Sequence, residues 1–194
     1  GEEYLGLWRG DQPHTSGVLC WFNGDIYMGE FTEGGKFQGS GVYRYGDTGE
    51  FAGDVYRGSY IAGQRTGQGV YQFNPNGNRP QGGEYIGQWL KGKFHGLGVL
   101  RYKDGESFVG DWTHDLKNGL GRYTWGQDSG EIAGDYYQGE VVNGKIEGNG
   151  CYRTADGGYH KGCYVDGMRE GWGIQRASDG TQHMGQWSRD KLNG

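Results

Sequence analysis

Apolar and polar positions alternate along this chain in short bursts, and the bursts recur. Tyr85-Ile86-Gly87-Gln88-Trp89 sets an aromatic, a glycine and a second aromatic on one side of an extended strand, with Ile86 and Gln88 on the other. The stretch continues to Gly92, Gly96 and Gly98, so the unit reads aromatic-x-Gly-x-aromatic, then Gly-xxx-Gly-x-Gly. It returns at Tyr4, Tyr27, Tyr56, Tyr85, Phe108, Tyr137, His160 and His183, in steps of 23 or 29 residues. Four after each start stands an aromatic (Trp8, Phe31, Tyr60, Trp89, Trp112, Tyr164, Trp187), with Val141 the exception. Periods of this length predict a repeat array, here a single one over residues 1–194 with an incomplete last unit.

Each unit predicts a β-hairpin. A glycine-bearing turn follows the first strand, and the second strand again alternates, with Leu19/Trp21, Tyr43/Tyr45, Tyr71/Phe73, Leu100/Tyr102 and Tyr123/Trp125 sharing a face. Asn23-Gly24, Asp104-Gly105, Asp156-Gly157 and Asp179-Gly180 then read as tight turns into the next unit. Three units carry longer connections, at residues 46–53, 74–81 and 126–134, expected as lengthened hairpin tips along one rim. Blunt decoration and partner contact remain equal readings of these tips. Helical spacing is absent. About fifteen strands at about 4.7 Å make a ribbon on the order of 70 Å long.

Composition sharpens this picture. Glycine accounts for 44 of 194 residues and falls mostly on the repeat grid, while aromatic content is 15% against only 33% apolar residues. That combination suits a thin sheet bearing rings rather than a thick two-layer core. The net charge is −5, with acids and bases interspersed and no basic run, so nucleic acid is not an expected partner and a strong electrostatic hold on anionic lipid is unsupported. No apolar run approaches the roughly 20 residues of a membrane helix. Three cysteines and no Asn-x-Ser/Thr sequon favour a reducing, cytoplasmic setting. The chain begins on a turn glycine and stops in mid-repeat, as expected of a piece excised from a longer array or trimmed to a stable core.

The unit at Tyr85, Gly87, Trp89, Gly92, Gly96 and Gly98 resembles the MORN repeat, the membrane occupation and recognition nexus motif, and the resemblance covers essentially the whole chain. The chain departs from it at His160 and His183, where Tyr is usual, and at Asp11, Asp115 and Asp190, where Gly is usual. The resemblance implies an all-β fold: an elongated, twisted, single-layer antiparallel sheet of consecutive hairpins. It also implies scaffold or adaptor roles near membrane and cytoskeleton, self-association as a homodimer, and a concave face that holds a peptide or helix of a partner protein. A weak lipid contact stays open through the family's name.

The candidate protein-binding face consists of Trp8, Tyr27, Tyr56, Tyr85, Trp89, Phe108, Trp112, Tyr137 and Trp187. Packing over glycines and an exposed binding groove are both open readings of these rings, and one ring can serve both. Self-association is expected through the C-terminal units, at Tyr164, Trp172, His183 and Trp187, because Gln175 and Ala177 break the aromatic pattern there. Cys151, His160, Cys163 and His183 gather in the last third, but their strand spacing does not converge, so no intrachain metal site is expected; a seam between two copies stays open. Catalytic motifs are missing and no cofactor or catalysis is expected. Two alternatives to the scaffold remain: a phospholipid-associated tether, and a targeting domain of a larger enzyme.

Overall fold

The computed structural model describes residues 2–76 and 82–193. Among them, strands follow one another in chain order: β1 (Glu2–Arg9), β2 (Gln12–Trp21), β3 (Ile26–Phe31), β4 (Phe37–Arg44), β5 (Val55–Ile61), β6 (Gln64–Phe73), β7 (Gly83–Leu90), β8 (Lys93–Tyr102), β9 (Ser107–Thr113), β10 (Leu116–Thr124), β11 (Tyr136–Val142), β12 (Lys145–Arg153), β13 (Tyr159–Val165), β14 (Met168–Arg176), β15 (Gln182–Ser188) and β16 (Lys191–Leu192). They belong to two compact units, residues 1–103 and 104–194. In the first unit β1 to β8 form an antiparallel sheet in which each strand pairs with its sequence neighbours. In the second unit β9 to β16 do the same. This is the expected all-β array of hairpins in a single layer.

One local arrangement generates the repeat. Gly58 of β5 pairs with Gly69 of β6, and Gly87 of β7 with Gly98 of β8. The ring of Tyr56 lies flat across the first pair: a Cβ on Gly58 would stand 2.5 Å from the Tyr56 hydroxyl oxygen and 2.6 Å from the Gly69 Cα. Tyr85 covers the second pair in the same way, with a Cβ on Gly87 falling 2.6 Å from both the Tyr85 hydroxyl and the Gly98 Cα. Side chains normally stand off a sheet; here two missing Cβ atoms let a ring lie down on the backbone. Each hydroxyl then donates to a main-chain carbonyl three residues on, from Tyr27 to Glu30 (2.9 Å), Tyr56 to Ser59 (3.1 Å), Tyr85 to Gln88 (2.9 Å) and Tyr137 to Glu140 (3.0 Å). Burial pushes the Tyr56 and Tyr137 hydroxyls up to about 12, so both remain protonated donors at neutral pH.

The carbonyl is available because the ladder breaks beside it. After the pair Gly87↔Gly98 the register jumps to Gln88↔His95, leaving Gly96 and Leu97 as an insert in β8. Gly96 takes φ +57°, which explains the first glycine of the closing Gly-x-Gly. The second aromatic of each unit stands edge-on between two flat rings: Tyr60 is 5.3 Å from Tyr56 and 5.4 Å from Tyr27, and Trp89 is 5.4 Å from Tyr85 and 5.0 Å from Tyr56, all near perpendicular. Edge-to-face pairs of this kind contribute about 0.5–1.5 kcal/mol each beyond area burial. Neighbouring repeats are thus zipped ring to ring.

From the β5–β6 hairpin onward, turns within the repeats are two-residue loops with both residues at positive φ, among them Ala62-Gly63 (+49°, +85°) and Asn143-Gly144 (+50°, +83°). Turns between units, such as that holding Asn23-Gly24, close with a Trp21 amide donating to the Asp25 carbonyl and a Gly24 amide to the Trp21 carbonyl. Within each unit the longer connections share one rim, since they all follow even-numbered strands. Of the middle connection, residues 77–81 lie outside the described residues. The connection after β10 corrects the expectation of a plain tip: Gln127–Ile132 forms 3-10 turns kinked at Gly130, stabilised by local hydrogen bonds that spacing rules do not reveal.

Two substitutions test this account. Gly87→Ala forces a methyl into the space of the Tyr85 ring and is expected to cost about 2–3 kcal/mol in denaturant unfolding. Ala62→Asn, at a φ of +49° that Asn tolerates better than Ala, is expected to add about 0.5–1 kcal/mol.

Candidate protein-interaction site

The face that carries the flat rings was the candidate binding surface. Eight of its nine candidate residues are buried: Tyr27, Tyr56, Tyr85 and Tyr137 at 0%, Phe108 at 1%, Trp112 at 3%, Trp89 at 4% and Trp187 at 5% exposure. They are the core of the array, and the reading in which their exposed edges line a groove gives way to the packing one. Trp8, on the first strand, is the exception at 56% exposed, with a flat ring, that of Tyr4, on one side. The accessible part of this face is a further layer laid over the rings.

That layer comes from residues just past each turn. Phe37 stacks on Tyr27 at 3.7 Å and Phe94 on Tyr85 at 3.7 Å, both nearly parallel. Arg65 replaces the aromatic in the β5–β6 hairpin between them, its guanidinium 4.6 Å from the Trp89 ring centroid and 5.5 Å from Tyr56. Lys117 covers Phe108 and Tyr123 in the second unit, and burial lowers its ammonium from the ordinary lysine value. Arg169 lies over Trp187 at 4.4 Å while bonded to Asp190. Cation–π contacts explain how a charged residue can cap an aromatic core.

Half-buried rings continue the layer in the first unit. Trp21, Phe37, Tyr43 and Tyr45 form a connected group with centroids 4.7–6.2 Å apart, and Phe51, 38% exposed, joins it at 5.4 Å from Tyr45. A shallow recess of about 390 Å³ lies against Trp21 and Tyr43. Acidic side chains two before the repeat starts, missed in the sequence reading, fix these rings. Asp25 accepts from the Tyr43 hydroxyl (2.5 Å) and the Gly46 amide (2.7 Å); Asp54 accepts from Tyr71 (2.7 Å) and the Asn74 amide (2.6 Å); Asp135 accepts from Tyr152 and the Ala155 amide. Their recurrence in register with a second-strand tyrosine was the signal available. Asp54 and Asp135 are buried, and each joins one hairpin to the connection that follows the next.

In the second unit the layer fails where Gln175 and Ala177 replace the aromatics of β14. A cleft of about 520 Å³ opens there, bordered by Tyr152, His160, Tyr164, Arg169 and Gln175. His160 occupies a flat-ring position, with Nδ1 2.8 Å from the Tyr164 hydroxyl and a buried Nε2 lacking a hydrogen-bond partner. Burial, aided by the nearby Arg169, lowers its imidazole to about 4.

The four residues expected at a self-association surface do not share one. Tyr164 and Trp187 are buried. Trp172 is 64% exposed and pairs with Gln186, on the face opposite the flat rings, whereas His183 is exposed at a ring position. Cys151 and Cys163 point to the face opposite His160, and no cluster of three or more metal-ligating side chains occurs among the described residues.

A single-layer sheet of ring-over-glycine hairpins, with half-buried aromatics on one face, defines a repeat-built interaction module. Eight consecutive segments, residues 4–26, 27–50, 56–79, 85–107, 108–129, 137–159, 160–182 and 183–194, match the MORN repeat model, and the chain belongs to that family. It is similar to Alsin: 36% identical over 159 residues to the rat protein, covering 79% of this chain and 9% of Alsin, with the same figures for human Alsin. Bovine ALS2 C-terminal-like protein is 40% identical over 53 residues, 27% of this chain and 6% of that protein. The chain therefore spans about a tenth or less of the curated relatives it matches. Among solved structures, the SAS-4 (dCPAP) TCP domain in complex with a proline-rich motif of Ana2 (dSTIL) of Drosophila melanogaster has a TM-score of 0.50 at 14% identity, covering 96% of this chain and 90% of that one. This likeness extends to the fold. Family and relatives together mark a repeat-containing adaptor or targeting domain, and they do not indicate catalysis by this chain.

His160 gives a pH test. An unfolded histidine titrates near 6.5, whereas the folded ring is held to about 4, so between these values the unfolded chain binds the extra proton. Stability is expected to fall as pH drops from 6.5 towards 4. His160→Tyr is expected to remove that fall and add about 1 kcal/mol at neutral pH by supplying the missing hydroxyl bond. Thermal melts of both proteins across this range check it.

Proposed function

We propose that this chain is a scaffold or adaptor that holds a segment of a partner protein on its ring-bearing face, at the half-buried rings Trp21, Phe37, Tyr43 and Tyr45 of the first unit. The observation that carries the reading is this aromatic group itself: rings held rigidly by Asp25 and by stacking on a buried core, with edges left accessible. Aromatic-lined surfaces suit extended proline-rich segments, whose backbone is already ordered and whose rings stack on the grooves they enter. The structural neighbour solved with a proline-rich motif supports a protein segment as occupant. The buried ring rows position this surface without forming it.

Placement of the module in a cytoskeleton- or membrane-associated assembly in the cytoplasm belongs to the same proposal, as does self-association as a homodimer through the end repeats. For the latter, Trp172 and His183 remain the accessible residues. A weak phospholipid contact is a lesser alternative. The reading as a targeting domain within a longer protein is favoured by a specific observation: in the Alsins the matching region is 9% of the chain.

Titration of a labelled proline-rich peptide tests the site. Binding is expected to weaken about tenfold or more in Trp21→Ala/Tyr43→Ala, and to be unchanged in Trp172→Ala, which lies in the second unit. Equal affinity in all three proteins, or none in the wild type, overturns the reading. Trp89→Ala would be uninformative here, since it empties the core.

A further inference from the structure

The face of the second unit opposite the flat rings carries a surface that the proposed proline-rich site does not use. Across paired positions of β10 to β15 runs the row Arg122, Gln138, Cys151, Lys161, Ile174 and Met184. Two recesses lie along it and share Gln138: one of about 490 Å³ bordered by Val109, Leu120 and Arg122, the other of about 760 Å³ bordered by Tyr136, Arg153, Lys161, Trp172 and Met184. Their floor is made of glycines, among them Gly121, Gly150, Gly162 and Gly173. The same facing glycines that seat rings on one side leave the backbone bare on the other.

The charge of this trough runs against that of its surroundings. Residues 104–194 hold fourteen acidic and nine basic side chains. Among the described residues, no Asp or Glu lines either recess, whereas Arg122, Arg153 and Lys161 border them. None of these three makes an ion pair or side-chain hydrogen bond among the described residues. Arg122 lies over the Tyr136 ring at 3.9 Å and Arg153 near the Tyr159 ring at 5.4 Å, which orders the guanidinium groups while leaving their donors open. Apolar side chains stand at both ends, Leu120 at one, and Trp172 and Met184, 64% and 69% exposed, at the other.

We propose that this trough binds an extended acidic segment of a partner protein, with carboxylates on Arg122, Arg153 and Lys161 and an apolar residue at each end. From β9 to β15 the trough crosses six strand spacings, about 29 Å, which an extended peptide covers in about nine residues. A long polyanion such as nucleic acid fits less well, because it would run on past the three cations into a unit with five more acids than bases. An anionic bilayer meets the same repulsion over a wider area. The trough lies in the second unit, whereas Trp21 and Tyr43 lie in the first, so it stands or falls separately from the proline-rich site.

The test uses the full chain and a fluorescein-labelled peptide of about ten residues, with Leu near one end, Phe near the other and Glu at alternate positions between, read by fluorescence anisotropy. Saturable binding is expected, weakening at least about tenfold in Arg153→Glu/Lys161→Glu and severalfold in Trp172→Ala, and falling as NaCl rises from about 50 to about 300 mM. These side chains are solvent-facing, and unchanged thermal melts would show the variants folded. Absence of wild-type binding, or equal affinity in the charge-reversed variant, overturns the proposal. So does preference for a single-stranded oligonucleotide or for phosphatidylserine vesicles over the peptide in parallel titrations.

Discussion

Everything in this array depends on a tyrosine ring lying flat across two glycines that face each other on adjacent strands. An isolated sheet cannot normally build a core, because side chains that stand up from one layer have nothing above them to pack against. Removing two Cβ atoms changes this. The ring comes down onto the backbone, and Tyr27, Tyr56, Tyr85 and Tyr137 become fully buried within a single-layer sheet. Glycine costs conformational entropy in a strand, and ring contact with the main chain, together with the hydroxyl bond three residues on, offsets it.

The break in register belongs to the same device. Inserting Gly96 and Leu97 beside the Gly87↔Gly98 pair frees the Gln88 carbonyl, and the Tyr85 hydroxyl takes it. Ring, glycine pair and bulge are therefore interdependent, which is why they recur together. Phe108 and His160 show what happens when one part is altered. Phe108 keeps the packing without the hydroxyl, beneath a lysine whose pKa is lowered by burial. His160 keeps the ring but leaves one nitrogen unsatisfied, and it borders the cleft left by Gln175 and Ala177.

Hairpins, their order and the identity of the core rings were all legible in the chain, because a fixed step of 23 or 29 residues places equivalent side chains on equivalent sites. The packing layer above the core was hidden by its chemistry: Phe37, Arg65, Phe94, Lys117 and Arg169 occupy one structural role, yet no hydropathy pattern groups them. The acidic clamps were hidden by distance, since Asp54 meets Tyr71 seventeen residues away and Asn74 at twenty. A search for runs of basic residues likewise missed Arg122, Arg153 and Lys161, which are scattered in sequence and brought to one face only by pairing across β10 to β13.

These placements bear on what similarity between such arrays means. The motif residues are buried, so no partner touches most of them, and they serve the fold. Recognition must reside in positions the motif leaves free: the layer over the rings, the residues between the glycines, and the opposite face. Leu120, Asn149 and Trp172 hold one such position in successive units, between the two glycines of each closing pair, and differ in size, polarity and charge-bearing neighbours. Identity that falls on frame positions therefore reports the hairpin array alone. A shared partner requires agreement at free positions such as Trp21, Tyr45, Arg153 and Trp172, and that is where the 36% identity to Alsin acquires or lacks functional meaning.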